Sequence, residues 1–436
     1  MPHDQALGED PVASLAAGGC RLRLPRPEGY AAGMGRDVGT AGSGVPRVGI
    51  IGGGQLARMT AQAAIGLGVG LRVMAERPDD GAATVVPADR LDIGAPGDES
   101  ALRRFLAGND VTTFDHELVD VAVLSRLAAE GHAFLPRPAT MALGQDKRRQ
   151  REVLSRLGLP CPPSAPVERL ADAVAFGDRH GWPGILKASR GGYDGRGVWV
   201  VDDAAAASVL VPDLLAAGVP LLIEELVALD REVATLVARR PSGQVVAYPV
   251  VETVQREGIC RRIIAPERVD AGLAVRLVGW SHHLAEEIDL VGIMAVEWFV
   301  VGDEALVNEI AVRTHNSGHY TIEGSVTSQF AQHLRAILDW PLGETALTAP
   351  VVVTVNVLGA AGVTTPLAAR MPAALAVPGV HVHLYGKTPR PGRKLGHVTA
   401  LGTDVDEVST RAQMAADALA GACEAGWNGQ DGIEHG

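Results

Sequence analysis

The chain has 436 residues, 47% hydrophobic and 21% charged, which is globular usage with room for about two to four domains and excludes wholesale disorder. Thirty-nine basic against fifty-one acidic residues give a net charge of −12, and aromatics are only 4%. That balance argues against a non-specific nucleic-acid binder or a base-stacking platform. Apolar runs such as Val198–Val201 and Val351–Val353 fall far short of the roughly 20 residues of a membrane span. No charged segment leads into an apolar one at the start. Cys20, Cys161, Cys260 and Cys423 form no CxxC or zinc-ligand spacing. These features predict a cytoplasmic protein with free thiols and neither nucleic-acid nor membrane partners.

Residues 1–46 are rich in Gly, Ala, Pro and Arg without periodicity and read as a disordered extension. Order begins at Arg47–Ile51, a short apolar strand. The turn Gly52-Gly53-Gly54 and a helix over Gln55–Leu67 follow, then strands over Leu71–Ala75 and Val111–Phe114. Strand and helix alternate, which predicts a parallel α/β unit to about residue 140. A charged helix is expected over 145–158. Strands follow at Gly184–Ser189, Val198–Val201 and Val219–Glu225. Glu232–Ala238 and Val245–Val251 read as a hairpin turned at Pro241-Ser-Gly-Gln244. A helix over about 270–288 precedes a second hairpin, Ile293–Val301 and Ala305–Ala311. The helix Ser328–Leu338 carries Phe330, Leu334, Ile337 and Leu338 on one side. A last segment opens with Val351–Val357 and closes with an alanine-rich helix near 408–424. The class is α/β, with α+β character in the central part.

Several motifs carry chemistry. Gly52-Gly53-Gly54-Gln55-Leu56-Ala57 fits a mononucleotide-type first turn with Glu76 downstream. The pattern admits a dinucleotide, and hence a NAD-dependent oxidoreductase, but favours another phosphorylated or ribosyl ligand at the helix N-terminus. Lys187 faces the loop Gly191-Gly192-Tyr193-Asp194-Gly195-Arg196-Gly197. Its glycines let backbone N–H groups approach phosphate oxygens, and the lysine adds a point charge. The plain alternative is an ordinary hairpin loop. Glu297 and Glu309 lie symmetrically about residue 303, the centre of the turn Gly302-Asp303-Glu304. A hairpin closing there makes them cross-strand partners, two carboxylates in an apolar setting that call for a cation such as Mg²⁺ unless both are solvated. Arg313-Thr-His315-Asn316-Ser317-Gly-His319-Tyr320 is dense in hydrogen-bonding side chains, as a site for an anionic substrate would be. Lys387, Arg390, Arg393 and Lys394 form either a phosphate site or a solvated basic turn.

Together these motifs resemble the ATP-grasp superfamily and, more closely, the 5-(carboxyamino)imidazole ribonucleotide synthases. The matching stretches are GGGQLARM (52–59), KASRGGYDGRG (187–197), NEIAVRTHNSGHYTIEG (308–324), SQFAQHLRAI (328–337) and YGKTPRPGRKLGH (385–397). The resemblance implies a mononucleotide-binding domain over 47–144, an ATP-grasp domain over 145–350 and a small C-terminal domain over 351–436. It implies ATP-dependent carboxylation of 5-aminoimidazole ribonucleotide by bicarbonate, through carboxyphosphate, in purine biosynthesis. Another ATP-grasp carboxylate–amine ligase is the nearest alternative. Lys147, Lys187 and Gly192–Gly197 would contact ATP, with Glu224, Glu225, Leu226 and Val227 in the adenine linker and Glu232 at the ribose. Gln255, Asn308 and Glu309 would also meet ATP, and Glu297 with Glu309 would bind Mg²⁺ or Mn²⁺. Gln55, Leu56, Glu76, Asn316, Ser317, Lys387, Arg393 and Lys394 would surround the ribonucleotide. Tyr193, Asp194, Arg313 and His315 would act at the reacting centre. A homodimer is implied as well. The sequence departs from the family pattern at Asp115, Val198, Gln255, Val312 and Thr314.

Overall fold

Strand β1 (Arg47–Ile51) is buried from its second residue onward, as its unbroken apolar run requires. In the computed structural model, which describes residues 44–192, 195–267 and 269–421, it lies between parallel partners β2 (Gly70–Ala75) and β4 (Val111–Phe114), with β3 (Leu91–Ile93) outside β2. Helix α1 (Gln55–Leu67) packs small residues on this sheet and ends at Gly68, whose φ of 66° closes the helix. The expected extension over 1–46 lies almost wholly outside the described residues.

The charged helix expected over 145–158 is shorter. Residues 138–145 form a separate helix, and extended Asp146 starts α2 (Lys147–Arg156) by accepting a hydrogen bond from the Arg148 N–H. A four-stranded antiparallel sheet follows, made of β5 (Ser164–Val167), β6 (Gly184–Ala188), β7 (Val198–Val201) and β8 (Leu221–Glu225) in the order β5-β8-β6-β7. It forms the roof of a cleft.

The floor is the larger sheet. Its strands are β9 (Arg231–Arg239), β10 (Val245–Ala247), β11 (Val251–Arg256), β12 (Ile259–Ala265), β13 (Gly292–Val301), β14 (Glu304–Ala311), β15 (Val351–Leu358), β16 (Val380–Leu384) and β17 (Lys394–Gly402). The order is β14-β13-β9-β11-β12-β15-β17-β16, with β10 on β9. The strand expected over 245–251 is therefore two. It breaks after Ala247, and β11 turns to pair with β12, a hairpin the sequence did not announce. One face of β9, β13 and β14 packs Val233, Val237, Met294, Val296, Trp298 and Val307 under helix α3 (Ala271–Glu287).

Helix α4 (Gln329–Ile337) starts at Ser328, whose side chain accepts from the Ala331 N–H. Helix α5 (Val405–Ala420) covers β15 and β17. Because β12 pairs with β15, the floor sheet continues past residue 350, so the C-terminal segment extends the sheet instead of standing beside it. Among the described residues no helix is long and apolar enough to cross a membrane.

Candidate active site

The β13–β14 hairpin closes on a tight turn, with Val301 opposite Glu304 and Gly302 at a φ of 57°. Strict alternation from that turn would place Asn308 opposite Glu297. A register shift between Glu297 and Trp298 inserts one residue, so Glu297 faces Glu309. Such a bulge turns two successive side chains toward one face. Asn308 and Glu309 therefore both reach the cleft, and Asn308 Nδ2 lies 3.5 Å from Glu297 Oε2. On β9, Ala234 pairs with Glu297 and Glu232 with Phe299, so Glu232 shares this face. The floor thus presents Glu232, Glu297, Asn308 and Glu309.

These acids have different charge states. Burial, then the charges of Glu309 and Glu232, push the Glu297 carboxyl up to about 8, with Lys147 and Lys394 offsetting only part. Burial raises Glu309 too, but the Lys147 ammonium at 2.7 Å, with Lys187 and His315 adding to it, outweighs burial and holds Glu309 below its ordinary value. The Glu309 side chain is 40% exposed, open to the cleft and enclosed by protein elsewhere. Burial pushes Glu232 up to about 7 against the pull of Lys187. Two side-by-side carboxylates, one of them forced neutral, fit a site for a divalent cation, and all-oxygen donors suit Mg²⁺. Among the described residues no cluster of three or more His, Cys, Asp or Glu could hold a metal alone. The remaining ligands must come from phosphates or water.

Lys187, near the end of β6, hangs from the roof with Nζ 5.9 Å from the centre of the Phe299 ring on the floor. It donates to Glu224 at 2.6 Å and to Asn308 Oδ1 at 3.2 Å. Burial lowers its pKa, with Glu224 pulling the other way. Glu224 faces this lysine and not the open side of the linker. Its side chain is buried and bound to Lys187 and Arg151, so it positions the lysine and leaves only its backbone to the adenine linker. Glu225 and Leu226 are exposed and Val227 half-buried, as a linker open to a base would be. In the phosphate loop, Gly197 closes on Ala188 through a backbone hydrogen bond of 2.7 Å. Gly195 backs onto the β11–β12 turn, where a Cβ on Gly258 would lie 2.7 Å from its Cα. Gln255 sits at a bulge in that hairpin. Tyr193 and Asp194 lie outside the described residues.

At the far end of β14, Arg313 Nε lies 2.8 Å from Glu117, which follows β4. His315 Nε2 lies 3.6 Å from Glu297 and its Nδ1 2.9 Å from the Ser317 hydroxyl. Ser317 is 1% exposed, and its hydroxyl orients His315. Both polar atoms of the Asn316 carboxamide are buried without a hydrogen-bond partner among the described residues, as a ligand-binding amide would be. Val312, where the family pattern has proline, is fully buried in the apolar core.

The substrate-side residues divide. Gln55 meets Lys387 through its side chain, joining the first turn to the basic loop. Gly54, Arg77, Lys387, Arg390 and Arg393 line a small cleft of about 70 Å³. Arg77 lines it and Glu76 does not, and Leu56 packs into an apolar cluster with Met59, Phe330 and Tyr385. The helix N-terminus is also not vacant for a phosphate. Asp115 accepts from Gly54 N at 2.9 Å and Ala57 N at 2.7 Å.

Sequence reasoning missed Arg151 and the stacking of three histidines, and named Asp115 only as a departure from the family pattern. His397 stacks on His319 at 5.0 Å and on His383 at 4.7 Å. Burial keeps His319 and His397 neutral. Arg151 had a signal, since Lys147, Gln150, Arg151 and Leu154 fall at one-face helical spacing.

Comparison with known proteins agrees with this layout. Residues 45–145 match the ribonucleotide synthetase preATP-grasp domain, 152–330 the ATP-grasp domain and 352–411 the phosphoribosylaminoimidazole carboxylase C-terminal domain. The N5-carboxyaminoimidazole ribonucleotide synthase of Mycobacterium tuberculosis is 47% identical over 397 residues, covering 88% of this chain and 90% of that one. The chain belongs to the N5-carboxyaminoimidazole ribonucleotide synthase family. The corresponding crystal structure from Thermus thermophilus is 37% identical with a TM-score of 0.76, covering 85% of this chain and 98% of that one. The synthase from Aspergillus clavatus, in complex with ADP and 5-aminoimidazole ribonucleotide, is 30% identical with a TM-score of 0.78 over 86% and 98% of the two chains. N5-carboxyaminoimidazole ribonucleotide synthases are ATP-grasp carbon–nitrogen ligases of purine biosynthesis that use ATP with Mg²⁺.

Proposed function

We propose that this chain uses ATP and bicarbonate to carboxylate the exocyclic amine of 5-aminoimidazole ribonucleotide. A bicarbonate oxygen attacks the γ-phosphorus while the bond to the ADP oxygen breaks, giving carboxyphosphate. Its carboxyl C–O bond then breaks to carbon dioxide and phosphate. The amine nitrogen forms the new C–N bond, and the released phosphate is the nearest base for its proton. The observation that carries this reading is the bulged hairpin, which sets Glu297, Asn308 and Glu309 on the cleft floor opposite Lys187.

Lys147 and Lys187 would meet the triphosphate, backbone groups at Glu225–Val227 the adenine, and Glu232 the ribose. Glu297 and Glu309 would hold Mg²⁺, which when bound neutralises β- and γ-phosphate charge. Arg313, held by Glu117, and His315, held by Ser317, would face carboxyphosphate. Asn316, Gln55, Lys387, Arg393 and Lys394 would hold the ribonucleotide, with Arg77 added at its phosphate end. A cytoplasmic homodimer completes the reading, supported by free Cys161 and Cys260 and by the family resemblance. The test is ADP and product formation with each substrate omitted in turn. Full turnover should need both bicarbonate and aminoimidazole ribonucleotide, and turnover with a different carboxylate–amine pair in their place would overturn the assignment.

A further inference from the structure

Lys187 is not alone with its glutamate. One oxygen of Glu224 takes Lys187 at 2.6 Å and the other takes Arg151 Nε at 2.6 Å. Arg151 Nη2 donates to the Asn308 carbonyl at 2.7 Å, and Lys187 donates to the Asn308 side chain at 3.2 Å. The four residues close a ring that joins α2, β8, β6 and the bulge of β14. Arg151 is 7% exposed.

The ring has a simple charge count. Glu224 is ionised, since Lys187 and Arg151 outweigh the burial that would raise it. One anion against two cations leaves one positive charge. A Lys187–Glu224 pair by itself would be neutral and would offer no net charge to a triphosphate. We propose that Arg151 is a positioning residue for the ATP-dependent step. It occupies one oxygen of Glu224, so that the charge of Lys187 is not cancelled toward the cleft. It also grips the Asn308 carbonyl, fixing the bulge that aims Asn308 and Glu309. This inference rests on the proposed nucleotide site. Arg151 Nη1 is buried with no hydrogen-bond partner among the described residues, a cost that packing alone does not explain.

Removing the guanidinium leaves Glu224 still paired with Lys187, so no charge is orphaned and the fold should persist. The full chain is compared with Arg151→Met, Arg151→Lys, Lys187→Met and the double variant, by ADP formation against ATP concentration and by melting temperature. Arg151→Met should raise the ATP KM and lower kcat, together by about tenfold or more, with the KM for aminoimidazole ribonucleotide unchanged. Arg151→Lys keeps the charge but cannot grip both oxygens, so it should recover the ATP KM while kcat stays low. The double variant should lose less than the product of the two single losses, because one of the two contacts of Arg151 acts through the lysine. Multiplying losses, or a folded Arg151→Met enzyme with ordinary ATP kinetics, would overturn the inference. If Arg151→Met fails to fold, Arg151→Lys decides, and normal kcat in it refutes the two-point grip. Unchanged ATP kinetics in Lys187→Met would instead refute the nucleotide site itself.

Discussion

Replacing Glu297 with Gln should stabilise the metal-free protein and abolish its chemistry. The carboxyl is held at about 8 against an ordinary 4.5, first by burial and then by Glu309 and Glu232. A carboxyl so raised is protonated in the fold and ionised in the unfolded chain. Its cost to folding is therefore absent below the ordinary value, grows as pH rises and levels off above the folded value. At pH 7 the cost is about 3 kcal/mol, and above pH 8 about 5 kcal/mol. Gln keeps the shape and the Asn308 contact without that cost. In EDTA, the variant should match the wild type near pH 4.5 and denature later at pH 8. Turnover should fall by about two to three orders of magnitude, because a preorganised ligand of the cation that neutralises the phosphates is lost. Chemical denaturation at both pH values, with ADP formation against Mg²⁺ concentration, measures the two effects. A variant less stable than wild type at pH 8, or one turning over normally at limiting Mg²⁺, would refute the paired-carboxylate argument.

Lys187→Ala should raise the ATP KM and lower kcat by about tenfold or more each while melting near the wild-type temperature, since Glu224 keeps Arg151; steady-state kinetics with a melting scan checks both. His333 accepts from the Ile293 N–H and contacts Thr113 with its other nitrogen, and burial lowers its pKa to about 4. The unfolded chain takes up that proton first, so stability should fall by up to about 3 kcal/mol between pH 6.5 and 4. His333→Gln should flatten that acid limb in urea titrations, and an unchanged limb would count against the assignment. Asp115→Ala should cost about 1–2 kcal/mol through loss of the α1 cap, read as an earlier denaturation midpoint.

The hairpin shows how far the sequence could be read. Equal spacing about residue 303 pairs Glu297 with Glu309, and the structure has that pair, but not by symmetric closure. The turn is centred half a residue earlier, and a bulge at Asn308 restores the pairing. Periodicity carries no signal for an inserted residue, so Asn308 was legible through the family resemblance alone, and its contacts with Lys187 and Glu297 became visible only in the fold. Phe330, Leu334, Ile337 and Leu338 are all buried as their spacing requires. The same helix also buries Gln329, Gln332 and His333, which hydrophobic patterning cannot find because each is satisfied by long-range partners. The ion pairs of the Glu224 side chain were hidden for the same reason. In Leu221–Glu225 this glutamate reads as the polar end of an apolar strand, and only the fold brings Arg151 across to it.

The glycine turn makes the strongest case against a dinucleotide enzyme, although it was the motif that suggested one. In a dinucleotide fold the small residues let backbone amides approach a pyrophosphate. Here a Cβ on Gly54 would lie 2.2 Å from Asp115 Oδ2, and one on Gly52 2.8 Å from Asp115 Cβ. A Cβ on Gly53 would lie 2.6 Å from that of Ala75. The turn is therefore glycine-rich to admit an internal carboxylate and a neighbouring strand. Asp115 already takes the Gly54 and Ala57 amides, and its charge would repel a second anion there. Cationic donors lie instead across the turn, where Gln55 meets Lys387 and the basic loop beyond it. The first domain thus contributes to a site completed by a segment more than 300 residues away in the chain, which a self-contained dinucleotide unit does not require.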